Sequence, residues 1–310
     1  ENAGGFIGEM PAQLPAMQNF IDKAARTNLP ILLTGETGVG KTRVAAEIHD
    51  KNRNGKPFVV VDCTALPPGL VESELFGHEK GAFTGAVVKS VGKVAAAGEG
   101  TILIDEIGDL PLELQGKLLR LVQTGEFEPL GDTRTARCGA RLIFATHRDL
   151  ASAVKHQTFR QDLFFRLNVL HFHLPSLREV PTLILPFARH FLVRNRAKVN
   201  IAVTGFDTSA EKALLNHPWP GNIRELENCV LRGLFNTPSG NMGAEHLALI
   251  TPASVDLPEG DLNLKSARDR LDKSNNEKAL HKTRRNVSAS ARELHLSRNA
   301  LMDLIKKHGL

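Results

Sequence analysis

The stretch PILLTGETGVGKT, residues 30–42, joins a short apolar run to a glycine-rich loop that ends in Lys41 and Thr42. The apolar run is too short and too continuous for an amphipathic helix, so it predicts a buried strand. Gly-x-x-x-x-Gly-Lys-Thr, from Gly35 to Thr42, is a complete phosphate-binding loop motif. We therefore expect a strand, a phosphate-binding loop and then a helix that begins near Lys41.

Three further apolar runs have the length of buried strands: residues 58–61, 101–104 and 142–145. Helical patterns separate them, for example the apolar residues spaced along 114–122 after Pro111. Buried strands that alternate with helices predict an α/β fold with a mostly parallel sheet covered on both faces.

The strand signals stop after Pro175. We predict four segments: an α/β nucleotide-binding subdomain at 1–175, a small all-helical lid at 176–250, a linker at 251–263 and a helical DNA-binding domain at 264–310. Proline, glycine and acidic residues mark the linker. Trp219, within a Pro-Trp-Pro-Gly break of the lid, is interpreted as a packing residue.

The glycine-rich loop has the residue types that phosphate binding requires. Glycines let backbone N–H groups turn inward onto phosphate oxygens, and the following helix N-terminus adds partial positive charge. Lys41 is predicted to reach the β- and γ-phosphates, and the Thr42 hydroxyl to ligate Mg²⁺. We predict ATP and Mg²⁺ as ligands of the loop residues Gly35, Glu36, Thr37, Gly38, Val39, Gly40, Lys41 and Thr42. A glycine turn with a surface lysine is the alternative, and the flanking strand and helix argue against it.

The apolar run at 101–104 ends in Asp105 and Glu106. Such a pair is often only a solvated strand end, but beside a phosphate-binding loop it predicts the second half of a hydrolytic site. Asp105 is expected to hold Mg²⁺ directly or through water. Glu106 is expected to orient and deprotonate the attacking water.

The composition of the 310 residues, 42% hydrophobic and 24% charged, is that of a globular protein. No apolar run approaches the roughly 20 residues that span a bilayer, and no secretion signal is visible, so we expect a cytoplasmic protein without a membrane partner. Cys63, Cys138 and Cys229 lack metal-ligand spacing. The chain begins with Glu1 rather than Met, which we interpret as processing or a fragment.

Between the two nucleotide motifs lies ELFGHEKGAFTGA, residues 74–86. Its last six residues, Gly81–Ala86, resemble the loop by which bacterial enhancer-binding proteins grip the sigma-54 form of RNA polymerase. These proteins are AAA+ transcription activators. By composition alone the segment is a flexible turn with an exposed Phe. The resemblance implies that Phe83 and Thr84 contact the polymerase.

The resemblance covers roughly residues 6–250 and includes blocks at 72–77, 105–108, 159–169 and 219–228. It implies an AAA+ core with a helical lid and a homo-oligomer, expected to be a hexameric ring. It also implies ATP at each subunit interface and remodelling of the closed polymerase–promoter complex upon hydrolysis.

The same resemblance implies further residues of the nucleotide site. Arg160 and Arg166 look like arginine fingers that reach the γ-phosphate of the neighbouring subunit, where a guanidinium neutralises developing charge. Without the resemblance, both would be read as surface salt-bridging residues. Arg224 resembles the second sensor of the lid. Phe6 and Ile7 open the matched region and are expected to contact the nucleotide.

Three positions depart from the family pattern. The residue after the second strand, usually Asn, is Asp62, and the first-sensor residue, also usually Asn, is His147. Both are predicted to belong to the catalytic set and to bring a titratable group near the γ-phosphate. Thr42 stands where the family often has Glu, and it restores the general P-loop pattern.

The basic charge of the chain lies in its tail. Residues 261–310 contain 12 Lys and Arg and 6 Asp and Glu, a net of +6, so the remainder has 27 against 28, a net of −1. Residues 286–308 predict a helix, a tight turn and a second helix, and they resemble the Fis-like helix-turn-helix that ends most enhancer-binding proteins. A basic bundle used only for assembly is the alternative.

The second tail helix is expected to enter the major groove of duplex DNA at enhancer sites. Base contacts are predicted for Arg298 and Asn299, and phosphate contacts for Arg284, Arg285, Lys306 and Lys307. Asp303 stands where the family usually has a basic residue, which predicts either reduced affinity for DNA or an altered tilt of the tail.

Two functions remain open at this point. The first is an ATP-driven activator of sigma-54 polymerase. The alternative is a DNA-binding regulator or repressor that uses ATP only for oligomerisation. The intact loop at Gly81–Ala86 favours the first.

Overall fold

The computed structural model describes residues 15–65, 67–83 and 85–249, with the isolated positions 287 and 302. The chain divides into two compact units, Glu1–Leu249 and Ile250–Leu310. Several predicted site residues lie outside the described residues: Phe6, Ile7, Thr84, Arg284, Arg285, Arg298, Asn299, Lys306 and Lys307. In the described part of the chain, no helix combines the length and apolar character needed to cross a membrane.

The strands of the described residues are β1 (Ile31–Thr34), β2 (Phe58–Asp62), β3 (Gly77–His78), β4 (Ser90–Val91), β5 (Thr101–Asp105), β6 (Glu126–Phe127), β7 (Ala136–Arg137), β8 (Arg141–Thr146), β9 (Leu170–His173), β10 (Val203–Phe206) and β11 (Gly240–Met242). The helices are α1 (Pro15–Ala25), α2 (Lys41–Arg53), α3 (Pro68–Phe76), α4 (Lys93–Ala96), α5 (Leu112–Thr124), α6 (Leu150–Lys155), α7 (Gln161–Leu167), α8 (Ile184–Val199), α9 (Thr208–Asn216), α10 (Asn222–Asn236) and α11 (Ala244–Leu247). Short 3₁₀ turns lie at Ile107–Asp109, Leu177–Glu179 and Pro181–Leu183.

The main sheet has five strands in the order β2-β5-β8-β1-β9, and every pair is parallel. This confirms the predicted parallel α/β core. The apolar strands bury side chains on both faces, in one cluster that includes Ile102 and Phe144 and another that includes Ile31 and Leu103. Because all strands run the same way, their carboxyl ends meet at one edge, where the polar site residues gather.

Strand β9 was not among the predicted strands. Its side chains alternate between half-buried Leu170 and Phe172 and exposed His171 and His173. This pattern belongs to an edge strand with one solvated face, so it lacks the continuous apolar run of a central strand.

The region after Pro175 was predicted to be all helical, and this is wrong in one detail. β10 and β11 pair in parallel as a two-stranded sheet within the helical domain. Both strands are only a few residues long, which is too short for a clear alternation in the sequence. The domain packs around Trp219, which is fully buried and donates from Nε1 to Leu214 O at 2.8 Å.

Candidate nucleotide-binding site

A cavity of about 520 Å³ opens at the carboxyl edge of the main sheet and extends between the phosphate-binding loop and the helical domain. Its polar end contains Lys41, Thr42, Asp105 and Glu106, together with Asp62 and His147. Its other end is largely apolar and includes Leu174, Leu177, Val180, Leu183 and Ile223. Ligand pockets commonly measure 300–1,000 Å³ and combine an apolar wall with a few polar groups. The cavity therefore suits a nucleoside triphosphate, with its phosphates at the polar end.

The phosphate-binding loop requires glycine where it approaches the helical domain. Gly38 has a φ of +83°, and a Cβ atom built on it would lie 2.3 Å from Gly221 O. Gly35 has a φ of +144°, and its Cβ would lie 2.6 Å from Leu174 O. No side chain fits at such distances, so the motif glycines allow the backbone itself to form the cradle.

Lys41 begins α2 and is almost fully buried, with 6% of its side chain exposed. Its Nζ donates to Gly35 O at 2.9 Å and to Glu36 O at 3.2 Å. Nζ also lies 3.7 Å from Glu106 Oε1. A buried ammonium that is bonded chiefly to loop carbonyls is placed to exchange those bonds for phosphate oxygens.

Thr42 and Asp105 form the part of the site that fits Mg²⁺. Thr42 Oγ1 donates to Asp105 Oδ2 at 3.3 Å, so two hard oxygen ligands converge. Burial, the largest cause, raises the pKa of Asp105, and the nearby carboxylate of Glu106 also raises it. A divalent cation would offset both effects because it favours the charged carboxylate. Glu106, Asp109 and His147 bring ligand-type atoms within 4.8 Å of one another, but Asp109 is already paired with Arg148.

Glu106 has a left-handed backbone with a φ of +51°, a conformation that costs free energy in a residue other than glycine. The carboxylate lies at the end of the neighbouring strand β8, where Oε2 accepts from His147 N at 3.1 Å and lies 2.6 Å from His147 Nδ1. Such strain concentrates at functional sites. The adjacent ends of β5 and β8 thus bring two predicted catalytic residues into contact.

Asp62 lies opposite Asp105 in the register between β2 and β5, and it lines the same cavity. Its Oδ1 accepts from Thr64 N at 2.8 Å and from Thr64 Oγ1 at 2.7 Å. The side chain is exposed, and its described hydrogen bonds go to Thr64 rather than to Glu106. The structure therefore places Asp62 in the site, with its carboxylate held by the following turn.

The helical domain contributes Arg224, which lines the cavity and donates from its backbone N to Gly38 O at 3.3 Å. Two neighbours that the sequence analysis did not single out are equally close to the phosphate-binding loop. Asn222 Nδ2 donates to Thr37 O at 3.0 Å, and Arg178 Nη1 donates to Glu36 Oε2 at 2.7 Å. Asn222 lies two residues before Arg224, so proximity in the sequence was the available signal.

Arg160 and Arg166 do not line the cavity. Arg160 precedes α7 and forms a bidentate pair with Asp162, at 3.0 Å from Nε and 2.7 Å from Nη2. Arg166 lies near the end of α7 and is exposed, and its side chain forms no hydrogen bond or ion pair with another described residue. Both guanidinium groups are therefore on the surface, away from the nucleotide cavity of their own chain.

The segment at 81–86 lies at the surface between β3 and β4. Its ends are closed by a hydrogen bond from Gly81 N to Ala86 O at 2.9 Å. The half-buried ring of Phe83 packs edge-on against His78, with ring centroids 5.0 Å apart. His78 is fixed in turn, because Nε2 donates to Val88 O at 3.0 Å and Nδ1 accepts from Ser73 Oγ at 2.7 Å. Phe83 is thus folded back onto the base of the loop.

Comparison with known sequence families gives two adjacent matches. The pattern of the Sigma-54 interaction domain matches residues 7–173. The pattern of the AAA+ ATPase lid domain matches residues 178–253. Together they span the sheet, the cavity and the helical domain.

The chain is similar to several curated regulators. It is 40% identical over 314 residues to regulatory protein AtoC of Escherichia coli (strain K12), covering 98% of this chain and 68% of AtoC. It is 41% identical over 301 residues to transcriptional regulatory protein ZraR of Klebsiella oxytoca, covering 96% of this chain and 68% of ZraR. For the DNA-binding transcriptional activator HyfR of Escherichia coli (strain K12), the identity is 45% over 240 residues, covering 76% of this chain and 36% of HyfR.

Among solved structures, NtrX from Brucella abortus in complex with ATP has the same fold, with a TM-score of 0.74 and 29% sequence identity. The match covers 97% of this chain and 68% of the NtrX chain. NtrX in complex with ADP matches with the same TM-score. These relatives extend beyond the region that they share with this chain.

Proposed function

The chain belongs to the bacterial enhancer-binding protein family, the AAA+ regulators that contain the Sigma-54 interaction domain, and on this basis we propose that it hydrolyses ATP to activate transcription by sigma-54 RNA polymerase. The observation that carries the proposal is the convergence of two sequence motifs in one cavity. Lys41 Nζ lies 3.7 Å from Glu106 Oε1, and Thr42 Oγ1 lies 3.3 Å from Asp105 Oδ2. ATP binding to the NtrX relative supports the same role for this cavity.

The hydrolytic chemistry follows from the residues in the cavity. Loop N–H groups and Lys41 hold the phosphates, and Thr42 and Asp105 would hold Mg²⁺, which would neutralise charge on the phosphate oxygens. Glu106 accepts a proton from a water molecule whose oxygen forms a bond to the γ-phosphorus. The bond from that phosphorus to the β–γ bridging oxygen breaks, and the products are ADP and inorganic phosphate.

Completion of the site requires a second copy of the chain in this proposal. Arg160 and Arg166 are exposed and lie outside the cavity of their own chain, so each is available to a neighbouring subunit. A guanidinium supplied across an interface stabilises charge on the transferred phosphoryl group and couples hydrolysis to assembly. The ring is proposed to be a hexamer, as the family resemblance implies.

The segment at 81–86 is proposed to contact sigma-54 polymerase through Phe83 and Thr84. Phe83 packs on His78 at the protein surface, so a partner can reach it if the loop extends. The glycines at both ends of the segment, with φ of +84° at Gly81 and +106° at Gly85, allow such a change at low steric cost.

Residues 261–310 are proposed to bind duplex DNA through the predicted helix-turn-helix. Binding should fall steeply with salt because phosphate contacts release counterions. A truncation at residue 260 should lose most of the affinity, and Asp303→Lys should tighten binding several-fold. Equal affinity of the truncated and full chains, measured across salt concentrations, would remove the tail from the proposal.

Nucleotide-dependent binding of sigma-54 tests the proposed function. The purified chain should retain purified sigma-54 in the presence of a non-hydrolysable ATP analogue and release it without nucleotide. Phe83→Ala should abolish retention, whereas Phe235→Ala, which alters an exposed aromatic residue on α10, should not. A chain that binds ATP and oligomerises but never retains sigma-54 would favour the alternative of a regulator that uses ATP only for oligomerisation.

A further inference from the structure

Four consecutive carbonyl groups of the phosphate-binding loop, from Gly35 to Gly38, accept hydrogen bonds from other parts of the chain. Lys41 Nζ donates to the carbonyl oxygens of Gly35 and Glu36, at 2.9 and 3.2 Å. The helical domain donates hydrogen bonds to the next two carbonyl oxygens. Asn222 Nδ2 donates to Thr37 O at 3.0 Å, and Arg224 N donates to Gly38 O at 3.3 Å. Half of these bonds therefore come from a domain that the loop motif does not include.

Asn222 is placed by its backbone and by both ends of its amide. It is fully buried and has a φ of +53°, a left-handed conformation in which Asn is enriched. Its Oδ1 accepts from Leu177 N at 2.8 Å, which fixes the orientation of the amide. Its Nδ2 then directs its two hydrogens to Thr37 O and, at 3.1 Å, to Glu36 Oε2.

Glu36 places a negative charge within a loop that must accept phosphates. Arg178 pairs with this carboxylate through both terminal nitrogens, with Nη1 at 2.7 Å from Oε2. The Arg178 hydrogen bonds are the largest cause that lowers the pKa of Glu36, from 4.5 to about 2, and the Asn222 bond is the second. The Glu36 carboxylate thus stays ionised, and the positive charge of Arg178 balances its negative charge. The pairing also holds the carboxylate toward the helical domain.

We propose that Asn222 is a positioning residue for phosphate binding. By holding the Thr37 carbonyl outward, it leaves the N–H groups of the loop directed at the cavity before ATP arrives. Arg178 assists because it neutralises Glu36 on the same side of the loop. The helical domain then supplies two of the four hydrogen bonds that hold the loop carbonyls, in addition to the side chain of Arg224. The inference depends on the proposed ATP binding.

Pre-organisation of this kind has a specific energetic consequence. A peptide group that must rotate when phosphate binds reduces the affinity by the cost of that rotation. A carbonyl that faces an anionic ligand also opposes binding directly. Loss of the Asn222 amide should therefore weaken nucleotide binding even though Asn222 itself contacts no phosphate.

Asn222→Gly is the informative variant, because glycine accepts the left-handed backbone without strain and removes only the amide. Asn228→Gly is the matched control, since Asn228 is an exposed asparagine on the same helix. We expect the Kd for a fluorescent ADP analogue to rise about tenfold in Asn222→Gly, because the Thr37 carbonyl and the Glu36 carboxylate both lose the amide that holds them. The control should bind as the unaltered chain does.

The outcomes separate the inference from the proposed function. If the unaltered chain fails to bind the ADP analogue, the proposed function fails. If the unaltered chain binds and Asn222→Gly binds equally well, the positioning role is wrong. A purely structural role would lower the melting temperature of Asn222→Gly and leave its Kd unchanged at a temperature where both proteins are folded.

A second pair of variants tests the charge balance independently. Arg178→Gln leaves Glu36 without its cation and should weaken binding of the ADP analogue several-fold. Adding Glu36→Gln to the same chain removes the uncompensated charge, so the double variant should bind more tightly than Arg178→Gln alone. A double variant that binds no better than the single one would exclude electrostatic neutralisation as the role of Arg178.

Discussion

The carboxylate of Glu106 is held by His147 through two hydrogen bonds to the same oxygen, from the backbone N at 3.1 Å and from Nδ1 at 2.6 Å. Since a carboxylate only accepts, Nδ1 carries the proton. The histidine thus fixes the residue that is proposed to activate water. An Asn at this position, as the family usually has, offers an amide donor of similar reach.

The first prediction concerns this contact. His147→Ala should lower kcat for ATP hydrolysis about tenfold with little change in KM, because Glu106 loses a charge-assisted hydrogen bond that orients it. His147→Asn should retain most of the activity. His156→Ala, which removes another exposed histidine, is the control. Steady-state phosphate release measures all three, and full activity of His147→Ala would show that the contact does not orient Glu106.

The second prediction separates binding from hydrolysis. Lys41→Ala should abolish ATP binding because it removes the buried ammonium of the loop. Glu106→Gln should bind ATP and hydrolyse it at least a hundredfold more slowly, since the amide cannot accept the proton of water. Nucleotide titration and phosphate release give the two quantities. Normal turnover by Glu106→Gln would contradict the assignment of Glu106.

The third prediction concerns stability and pH. The folded pKa of Glu36 is about 2, against an ordinary value of 4.5. A carboxyl group whose pKa is lower in the folded chain than in the unfolded chain stabilises the folded chain at pH values above its ordinary pKa. That stabilisation is lost as the pH falls from about 4.5 toward about 2. Solvent screens this half-exposed pair, so the contribution is about 1 kcal/mol or less.

Urea unfolding of the unaltered chain and Glu36→Gln measures this contribution. The free energy of unfolding should differ most near pH 7, and the difference should shrink as the pH falls below 4.5. Arg178→Gln should reduce the same pH-dependent part, because it removes the partner that lowers the Glu36 pKa. A difference that stays constant between pH 7 and pH 3.5 would contradict the role of the ion pair.

The fourth prediction concerns the exposed arginines. A chain lacking both Arg160 and Arg166 should be inactive alone, and so should Glu106→Gln. A mixture should recover ATP hydrolysis, because some interfaces combine an intact Glu106 with arginines from the neighbour. A mixture of Lys41→Ala with Glu106→Gln is the control. Each cavity in that mixture lacks either the Lys41 ammonium or the Glu106 carboxylate, so no interface is complete. If rings that are shown to mix stay inactive, the arginines do not act between subunits.

The sequence predicted the parts of the site that lie in contiguous motifs. Gly35–Thr42 has its roles within one loop, and Asp105 and Glu106 end a strand whose apolar character is plain. The parallel core followed from the alternation of such strands with helices, and the sheet confirms it. These features depend on local pattern, which a single sequence contains.

The sequence did not predict contacts between distant segments. Asn222 reaches Thr37 across 185 positions, and Arg178 reaches Glu36 across 142. Their partners are backbone carbonyls and a carboxylate that the motif leaves unspecified. The family resemblance predicted that Asp62 would lie near the γ-phosphate, but its carboxylate bonds Thr64 because a turn follows directly. The hydrogen-bond partner of each of these side chains depends on local geometry, which residue type alone does not determine.

Formation of an open promoter complex tests the central claim most directly. The purified chain, sigma-54 RNA polymerase and a supercoiled sigma-54 promoter would be combined with ATP, and melted bases detected by permanganate reactivity. The proposed function predicts melting with ATP, none with a non-hydrolysable analogue, and none with Thr84→Ala, although that variant still hydrolyses ATP. Rapid ATP hydrolysis by the unaltered chain without promoter melting, or normal melting by Thr84→Ala, would contradict it.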